Sequence, residues 1–224
     1  MLVKDRMSRD PVTVSPDDTL AHALQLTRAH RIRHLPVVGG NGMLCGILSD
    51  RDIRLAMPSP LTVPDAERAD FLERTAIAAI MSREVVTVGA GETIEDAAKQ
   101  LYRHRISSLP VVDVAGKLEG ILTETDILHA FVEILGGMEP ASRLEVALQD
   151  RPGELSRALH VIGDELEVNI TSIVVPSIRT QGRKTAILHV GTIDPREIVE
   201  ALEQAGFEVG WPSLEADQRE LRKS

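Results

Sequence analysis

Two segments of the chain carry the residues best suited to binding chemistry. In each, a glycine-led apolar strand runs into a helix with a hydroxyl three residues before an aspartate: Ser49 and Asp52, then Thr123 and Asp126. A carboxylate there can accept two hydrogen bonds from a vicinal diol, while the hydroxyl and the free helix N–H groups can bind phosphate oxygens. Alternatively, Ser49 and Thr123 are only N-caps and the aspartates only complement the helix dipole. Recurrence of the pair favours binding.

Both segments belong to an internal repeat. Met7-Ser8-Arg9 recurs as Met81-Ser82-Arg83, and Leu35-Pro36-Val37-Val38 recurs as Leu109-Pro110-Val111-Val112. At this constant shift of 74 residues, 23 of the 50 positions from Met7 to Ala56 are identical without a gap. A duplicated structural unit follows from this similarity.

Each copy predicts the element order β-α-β-β-α. In the first copy the elements are expected near 12–14, from Leu20, at 35–38, at 43–48 and from Ser49, with a glycine-rich turn at 39–42. Apolar residues at i, i+3, i+4 and i+7 indicate the helices that begin at Leu20 and Ile94, and Thr93 with Asp96 forms a capping-box pattern. The predicted bounds are 1–60 for the first repeat, 61–75 for a linker with helix regained near 65–74, and 76–137 for the second repeat.

A different unit is expected over 142–212. Alternating apolar residues indicate a strand at 144–148, followed by an amphipathic helix, strands at 168–175 and 184–190, a second helix and a last strand. This β-α-β-β-α-β order is typical of a ferredoxin-like sandwich, so the whole chain is predicted to be of the mixed α/β (α+β) class. Residues 213–224 are predicted to be a polar, frayed tail.

The duplicated part resembles a tandem pair of CBS (cystathionine-β-synthase) domains, a Bateman module. The resemblance implies two repeats packed about a pseudo-twofold axis, with adenine nucleotide (AMP, ADP, ATP or a related adenosyl ligand) bound in the clefts between them. It implies that Asp52 and Asp126 hold ribose hydroxyls, and that Ser49 and Thr123 support the ribose or the α-phosphate. The other implied positions are Thr13 and Thr87 at the adenine, and Arg33, His34, Ser107 and Ser108 at the phosphates.

The two copies differ in charge where the resemblance places the phosphates. Arg33 and His34 can neutralise phosphate charge, whereas Ser107 and Ser108 offer only neutral hydrogen bonds. The two clefts are therefore not expected to prefer the same ligand. Which aspartate works with Arg33 stays open at the level of sequence.

The third unit resembles ACT domains through Asp150-Arg151-Pro152-Gly153-Glu154-Leu155 and Asn169-Ile170. That resemblance implies edge-to-edge homodimers and a small effector, commonly an amino acid, at Asp150, Gly153 and Asn169. A ligand-free dimerisation domain, with Gly153 serving only the turn, is equally compatible because this sandwich is a superfold. A CBS pair followed by an ACT domain resembles the acetoin utilisation proteins of B type.

Composition excludes several classes of function. The net charge of −9 disfavours nucleic acid, and an aromatic content of 2% leaves few stacking platforms. The single cysteine, Cys45, permits no internal disulfide. No apolar run is long enough to indicate a membrane span, and no signal peptide indicates export. A cytoplasmic protein is therefore expected. The seven histidines show no zinc-site spacing, so no metal is expected.

A non-catalytic regulatory sensor is the function favoured by these patterns, with adenine nucleotide as regulatory ligand and no catalytic cofactor. An enzyme is disfavoured because no nucleophile, base and orienting residue can be placed in one cleft. The alternative is a ligand-independent dimerisation scaffold that regulates a separate metabolic enzyme, for example in acetoin utilisation.

Overall fold

The computed structural model describes residues 1–136, 140–176, 179–180 and 183–211. It divides into two compact units, Met1–Ala130 and a second that begins at Phe131. The division precedes the predicted end of the second repeat at 137. Gly136 already packs within the second unit, because a Cβ built on it would lie 3.1 Å from the Ser172 Cβ. The predicted tail 213–224 lies outside the described residues.

The first unit contains the two repeats. Its regular elements are β1 (Ser8–Arg9), α1 (Leu20–His30), β2 (His34–Val38), β3 (Leu44–Ser49), α2 (Asp50–Ala56), α3 (Asp65–Arg74), α4 (Ile94–His104), β4 (Ser108–Val112), β5 (Leu118–Thr123) and α5 (Glu124–Ile134). Short 3₁₀ helices lie at Val3–Asp5 and Ile77–Ala79. The linker helix α3 has the bounds that its sequence predicts.

The helix pattern is explained by burial. Leu20, Ala23 and Thr27 of α1 are buried, as are their equivalents Ile94, Ala97 and Leu101 of α4. These faces pack on hairpins β2–β3 and β4–β5, whose Leu35, Val37 and Leu48, and Leu109, Val111 and Leu122, are fully buried. Because the aliphatic face recurs every 3.6 residues, the helices have one buried side and one exposed side.

The strand predicted at 12–14 is reduced to a single bridge between Val14 and Val37. The Val14 N–H donates to the Pro36 carbonyl, and the Val38 N–H donates to the Val14 carbonyl. The next bond of a parallel ladder would need an N–H from Pro36, which proline lacks. The second copy has the same arrangement, with Val88 beside Val111 and Pro110.

The repeats interlock by exchanging an extended segment. β1 of the first repeat pairs with β5 of the second, with Ser8 opposite Ile121, and a bridge in the reverse sense joins Ile47 to Ser82. The Ile47 N–H donates to the Ser82 carbonyl and the Ser82 N–H donates to the Ile47 carbonyl, both at 2.9 Å. Each hairpin is therefore completed by chain from the other repeat, in contacts that are equivalent when the repeats are exchanged.

The second unit has one antiparallel sheet and two principal helices. Its elements are β6 (Ser142–Gln149), α6 (Glu154–His160), β7 (Ile170–Val174), β8 (Arg179–Thr180), β9 (Arg183–Val190), α7 (Arg196–Gln204) and β10 (Glu208–Gly210), with a π-helical turn at Val161–Glu165 after α6. The strands are ordered β10-β6-β9-β7, and β8 pairs with β9. The core includes Leu144 and Leu188 of the sheet, Ile198 and Leu202 of α7, and Phe207. The β-α-β-β-α-β order is the predicted one, with β8 added.

Gly120 and Gly46 should be required for the exchange of extended segments between the repeats. A Cβ on Gly120 would lie 2.8 Å from both the Met7 Sδ and the Ser8 carbonyl oxygen, so Gly120→Ala should lower the free energy of unfolding by about 1–3 kcal/mol. A Cβ on Gly46 would lie 2.7 Å from the Met81 Sδ, so Gly46→Ala should also lower the free energy of unfolding. Urea unfolding of the full chain measures the loss. Gly91→Ala is the control because a Cβ there has nothing within 4 Å, and equal stability of Gly120→Ala and Gly91→Ala would contradict this account.

Candidate functional site

Two clefts of similar size open in the first unit, and both repeats contribute walls to each. The Asp126 cleft has a volume of about 480 Å³ and the Asp52 cleft one of about 460 Å³, within the range of small-molecule sites. The Asp126 cleft is lined by residues 8–12 and 30–34, Ile121, Thr123, Thr125 and Asp126. The Asp52 cleft is lined by His34, Ile47, Ser49, Arg51, Asp52, Ser82, residues 84–86 and 105–108, and Glu124. Most lining positions of one cleft recur in the other at the 74-residue shift.

The fold decides which predicted residues meet. Arg33 and His34, at the start of β2, line the same cleft as Asp126, which lies in the first turn of α5. Ser107 and Ser108, at the start of β4, line the cleft of Asp52. Each cleft thus combines the helix start of one repeat with the strand start of the other, because the exchanged segments bring them together.

Both aspartates are held by a capping arrangement. The Asp52 Oδ2 accepts hydrogen bonds from the Ser49 N–H at 2.9 Å and the Ser49 hydroxyl at 2.6 Å, while the Ser49 Oγ accepts from the Asp52 N–H at 3.1 Å. Asp126 repeats this with Thr123, at 2.8 and 2.7 Å to Oδ2 and 3.4 Å in return. Among the described residues, no hydrogen bond reaches Oδ1 of either aspartate. Ser49 and Thr123 therefore cap their helices in both copies, and the capping bonds use only one oxygen of each carboxylate.

His34 lies where the two clefts adjoin, since it lines both. Its Nε2 is 2.8 Å from the Ser107 Oγ of the other repeat. Burial lowers the pKa of His34, and the neighbouring Arg33 charge lowers it further, against the opposing effect of the carboxylates Asp50, Asp52 and Glu124. The imidazole is therefore neutral at neutral pH and forms a hydrogen bond with the serine hydroxyl.

Four arginines that the site prediction omits, Arg9, Arg31, Arg51 and Arg105, also line the clefts, and two of them have an unusual backbone conformation. Arg31 and Arg105 end α1 and α4 in the left-handed conformation, with φ of 54° and 53°, and each lines one cleft. Left-handed backbone is unfavourable for a side chain of this size, and such conformations concentrate at functional sites. The recurrence of His-Arg-Ile at 30–32 and 104–106 is the signal by which the sequence could have shown Arg31 and Arg105.

Thr13 and Thr87 lie elsewhere. Among the described residues that line the two clefts, their neighbours Val12 and Val86 take the positions expected of the threonines. Thr87 lines a smaller pocket of about 200 Å³ that also includes Cys45 and Arg83. Val12 in the Asp126 cleft and Val86 in the Asp52 cleft each offer an apolar surface to a flat ring.

The three positions singled out in the second unit are not brought into one pocket. Asp150 forms an ion pair with Lys184 at 2.9 Å, and Gly153 precedes α6 with φ of 89°. Asn169 lines a shallow pocket with Gly163, Glu167, Val168 and Ile170. Within the described residues, neither Asp150 nor Gly153 lines that pocket.

The described residues offer neither a metal-binding group nor a membrane-spanning helix. No group of three or more His, Cys, Asp or Glu side chains there could hold a metal ion. No helix among these residues is long and apolar enough to cross a membrane.

Comparison with known proteins assigns the first unit. The sequence model of the CBS domain matches residues 3–59 and 77–133, together just over half of the chain. The chain belongs to the CBS domain family. A CBS domain-containing protein of Dictyostelium discoideum is 36% identical over 143 residues, which are 63% of this chain and 99% of that protein.

Solved structures contain the same CBS pair. One, in complex with 5′-methylthioadenosine and S-adenosyl-L-methionine, is 31% identical with a TM-score of 0.50, over 62% of this chain and 98% of that one. Another, a Vibrio cholerae protein assigned to acetoin utilization, is 30% identical with a TM-score of 0.52, over 62% of this chain and 95% of that one. Inosine-5′-monophosphate dehydrogenase of Korarchaeum cryptofilum is 32% identical over 74% of this chain, but the match spans 31% of the enzyme.

The pKa of His34 gives a direct test of this geometry. It should lie below the ordinary value of 6.5, and Arg33→Ser should raise it because a positive charge beside the ring is removed. Titration of the histidine Cε1–H signals by NMR measures it, with Arg28→Ser as control. The unfolded chain binds this proton more readily, so His34 lowers the free energy of unfolding as pH falls below 6.5. A pKa above 6.5 would show that the ring is not buried as described.

Proposed function

We propose that the protein is a non-catalytic regulatory sensor that binds adenine nucleotide or a related adenosyl compound in the clefts of its CBS pair. The observation that carries the proposal is that a capped aspartate at a helix start shares a cleft of ligand size with at least one arginine from the other repeat, and that this occurs in both clefts. The structural neighbour that binds 5′-methylthioadenosine and S-adenosyl-L-methionine supports it.

Different residues bind the ribose, the base and the phosphates. The Oδ1 of Asp52 or Asp126 accepts hydrogen bonds from the ribose hydroxyls, while the cap from Ser49 or Thr123 holds the carboxylate in position. The valine-lined wall contacts the base, and arginines from the other repeat meet the phosphates. Because each ligand contacts both repeats, binding stabilises one disposition of the pair over others.

Regulation of a separate metabolic enzyme is the role that we propose for this binding. A ligand present at about 100 times its dissociation constant stabilises the bound state by about 2.7 kcal/mol, enough to shift a balanced equilibrium. The Vibrio cholerae neighbour supports a link to acetoin utilization. A ligand-independent scaffold is the competing function.

The ribose assignment is tested by removing each carboxylate. Asp52→Ala and Asp126→Ala should each weaken adenosyl binding at their own cleft by about ten- to a hundredfold, as charge-assisted bonds of about 1.5–3 kcal/mol are lost. Isothermal titration calorimetry with AMP and with 5′-methylthioadenosine measures this.

Asp96→Ala is the matched control. Asp96 accepts a hydrogen bond from the Thr93 hydroxyl at 2.9 Å and donates its N–H to it, so its removal breaks the same cap on α4 outside the clefts. It should lose stability without losing affinity. If all three variants bind alike, the aspartates are caps only.

We propose that the second unit is an ACT domain that forms homodimers and can bind an amino-acid effector. Its sheet order β10-β6-β9-β7 and its two helices on one core support this. Asn169 lines a shallow pocket that includes neither Asp150 nor Gly153, so we propose that a second copy completes an effector site that uses all three.

The dimer proposal has a simple test. Sedimentation velocity of the full chain should give the mass of a dimer.

The effector has a separate test. At least one amino acid from a panel should raise the melting temperature of the protein. Asn169→Ala should abolish the rise caused by the active amino acid, whereas Ile193→Ala, at an exposed position, should not. A monomer at all concentrations would contradict the dimer, and an unmoved melting temperature would leave the unit without an effector.

A further inference from the structure

The two clefts differ in charge. The Asp126 cleft is lined by three arginines, Arg9, Arg31 and Arg33, and by two carboxylates, Asp10 and Asp126. The Asp52 cleft is lined by two arginines, Arg51 and Arg105, and by three carboxylates, Asp52, Glu84 and Glu124. With histidine neutral, the formal charge of the lining is +1 in the first cleft and −1 in the second.

This asymmetry has local causes in the repeat. Arg33 is replaced at the equivalent position of the Asp52 cleft by Ser107, and the equivalent of Arg9 is Arg83, whose guanidinium donates to the Ala78 carbonyl outside that cleft. Glu124 lines the Asp52 cleft, whereas its equivalent Asp50 is ion-paired with Arg54 at 2.9 Å.

We propose that the Asp126 cleft takes a phosphate-bearing adenine nucleotide and the Asp52 cleft takes an adenosyl compound without phosphate, neutral or cationic at the sulfur. This inference rests on the proposed function and adds which ligand class each cleft selects. A nucleoside monophosphate carries close to two negative charges at neutral pH, so three arginines attract it while three carboxylates repel it. A thioether is neutral and a sulfonium is positively charged, so the three carboxylates of the Asp52 cleft repel neither.

Arg33 is the residue on which the selection turns. It is exposed, lines the Asp126 cleft and is one residue from His34, whose Nε2 contacts Ser107. His34 brings no fixed charge, since its pKa is lowered by burial. The difference between the clefts at this position is thus one guanidinium against one hydroxyl, and exchanging the two residues tests it.

Calorimetry on the full chain, with AMP and 5′-methylthioadenosine as probes, tests the assignment. AMP affinity should fall at least tenfold in Asp126→Ala and in Arg33→Ser and should be unchanged in Asp52→Ala. Affinity for 5′-methylthioadenosine should fall at least tenfold in Asp52→Ala and be unchanged in Arg33→Ser. Raising the salt concentration should weaken AMP more than 5′-methylthioadenosine, because only AMP depends on phosphate–arginine attraction.

A gain of function completes the test. In the Asp126→Ala background, Ser107→Arg should create AMP binding in the Asp52 cleft, whereas Ser107→Ala, which also removes the His34 contact, should not. If either aspartate variant weakens both probes equally, or if Arg33→Ser leaves AMP affinity intact, the selectivity is wrong and the sensor function stands. If the wild-type chain binds neither probe, the sensor function fails as well.

Discussion

The exchange of extended segments between the repeats is the contact on which both clefts depend. β1 lies against β5, and residue 82 lies against Ile47, at a separation that only glycine at 120 and at 46 allows. These pairings bring residues 8–12 over Asp126 and residues 84–86 toward Asp52. Backbone hydrogen bonds between the repeats therefore hold walls of both clefts in place.

The capping bonds show that structural and binding roles are not alternatives. Asp52 and Asp126 each use Oδ2 to satisfy the hydroxyl and backbone N–H of the preceding cap residue. These bonds fix the orientation of the carboxylate and leave Oδ1 outside the capping arrangement. Recurrence of the pair in both copies is explained by capping alone, so the evidence for binding comes from the clefts and the arginines across them rather than from the repetition.

Much of the fold could be predicted from the sequence because its signals are local. The 3.6-residue period of α1 and α4, the limits of α3 and the duplication itself are all written in the order of residues. The reduction of the strand predicted at 12–14 to a single bridge could not be predicted, since it depends on the partner strand, where Pro36 lacks the N–H for a further ladder bond. The partners of Asp126 could not be predicted either, because the exchange of segments, and not distance along the chain, brings Arg33 to it.

Duplication followed by divergence accounts for the asymmetry of the site. A symmetric pair of repeats would give two identical clefts, but His34 lines both clefts and contacts Ser107, whereas its equivalent Ser108 lines only the Asp52 cleft. An imidazole that lines both clefts is affected by the charge in each: an anion beside Arg33 favours the protonated ring, and a proton on the ring changes the hydrogen bond that Ser107 can make. The contact between His34 and Ser107 therefore places one titratable ring within reach of charge in either cleft.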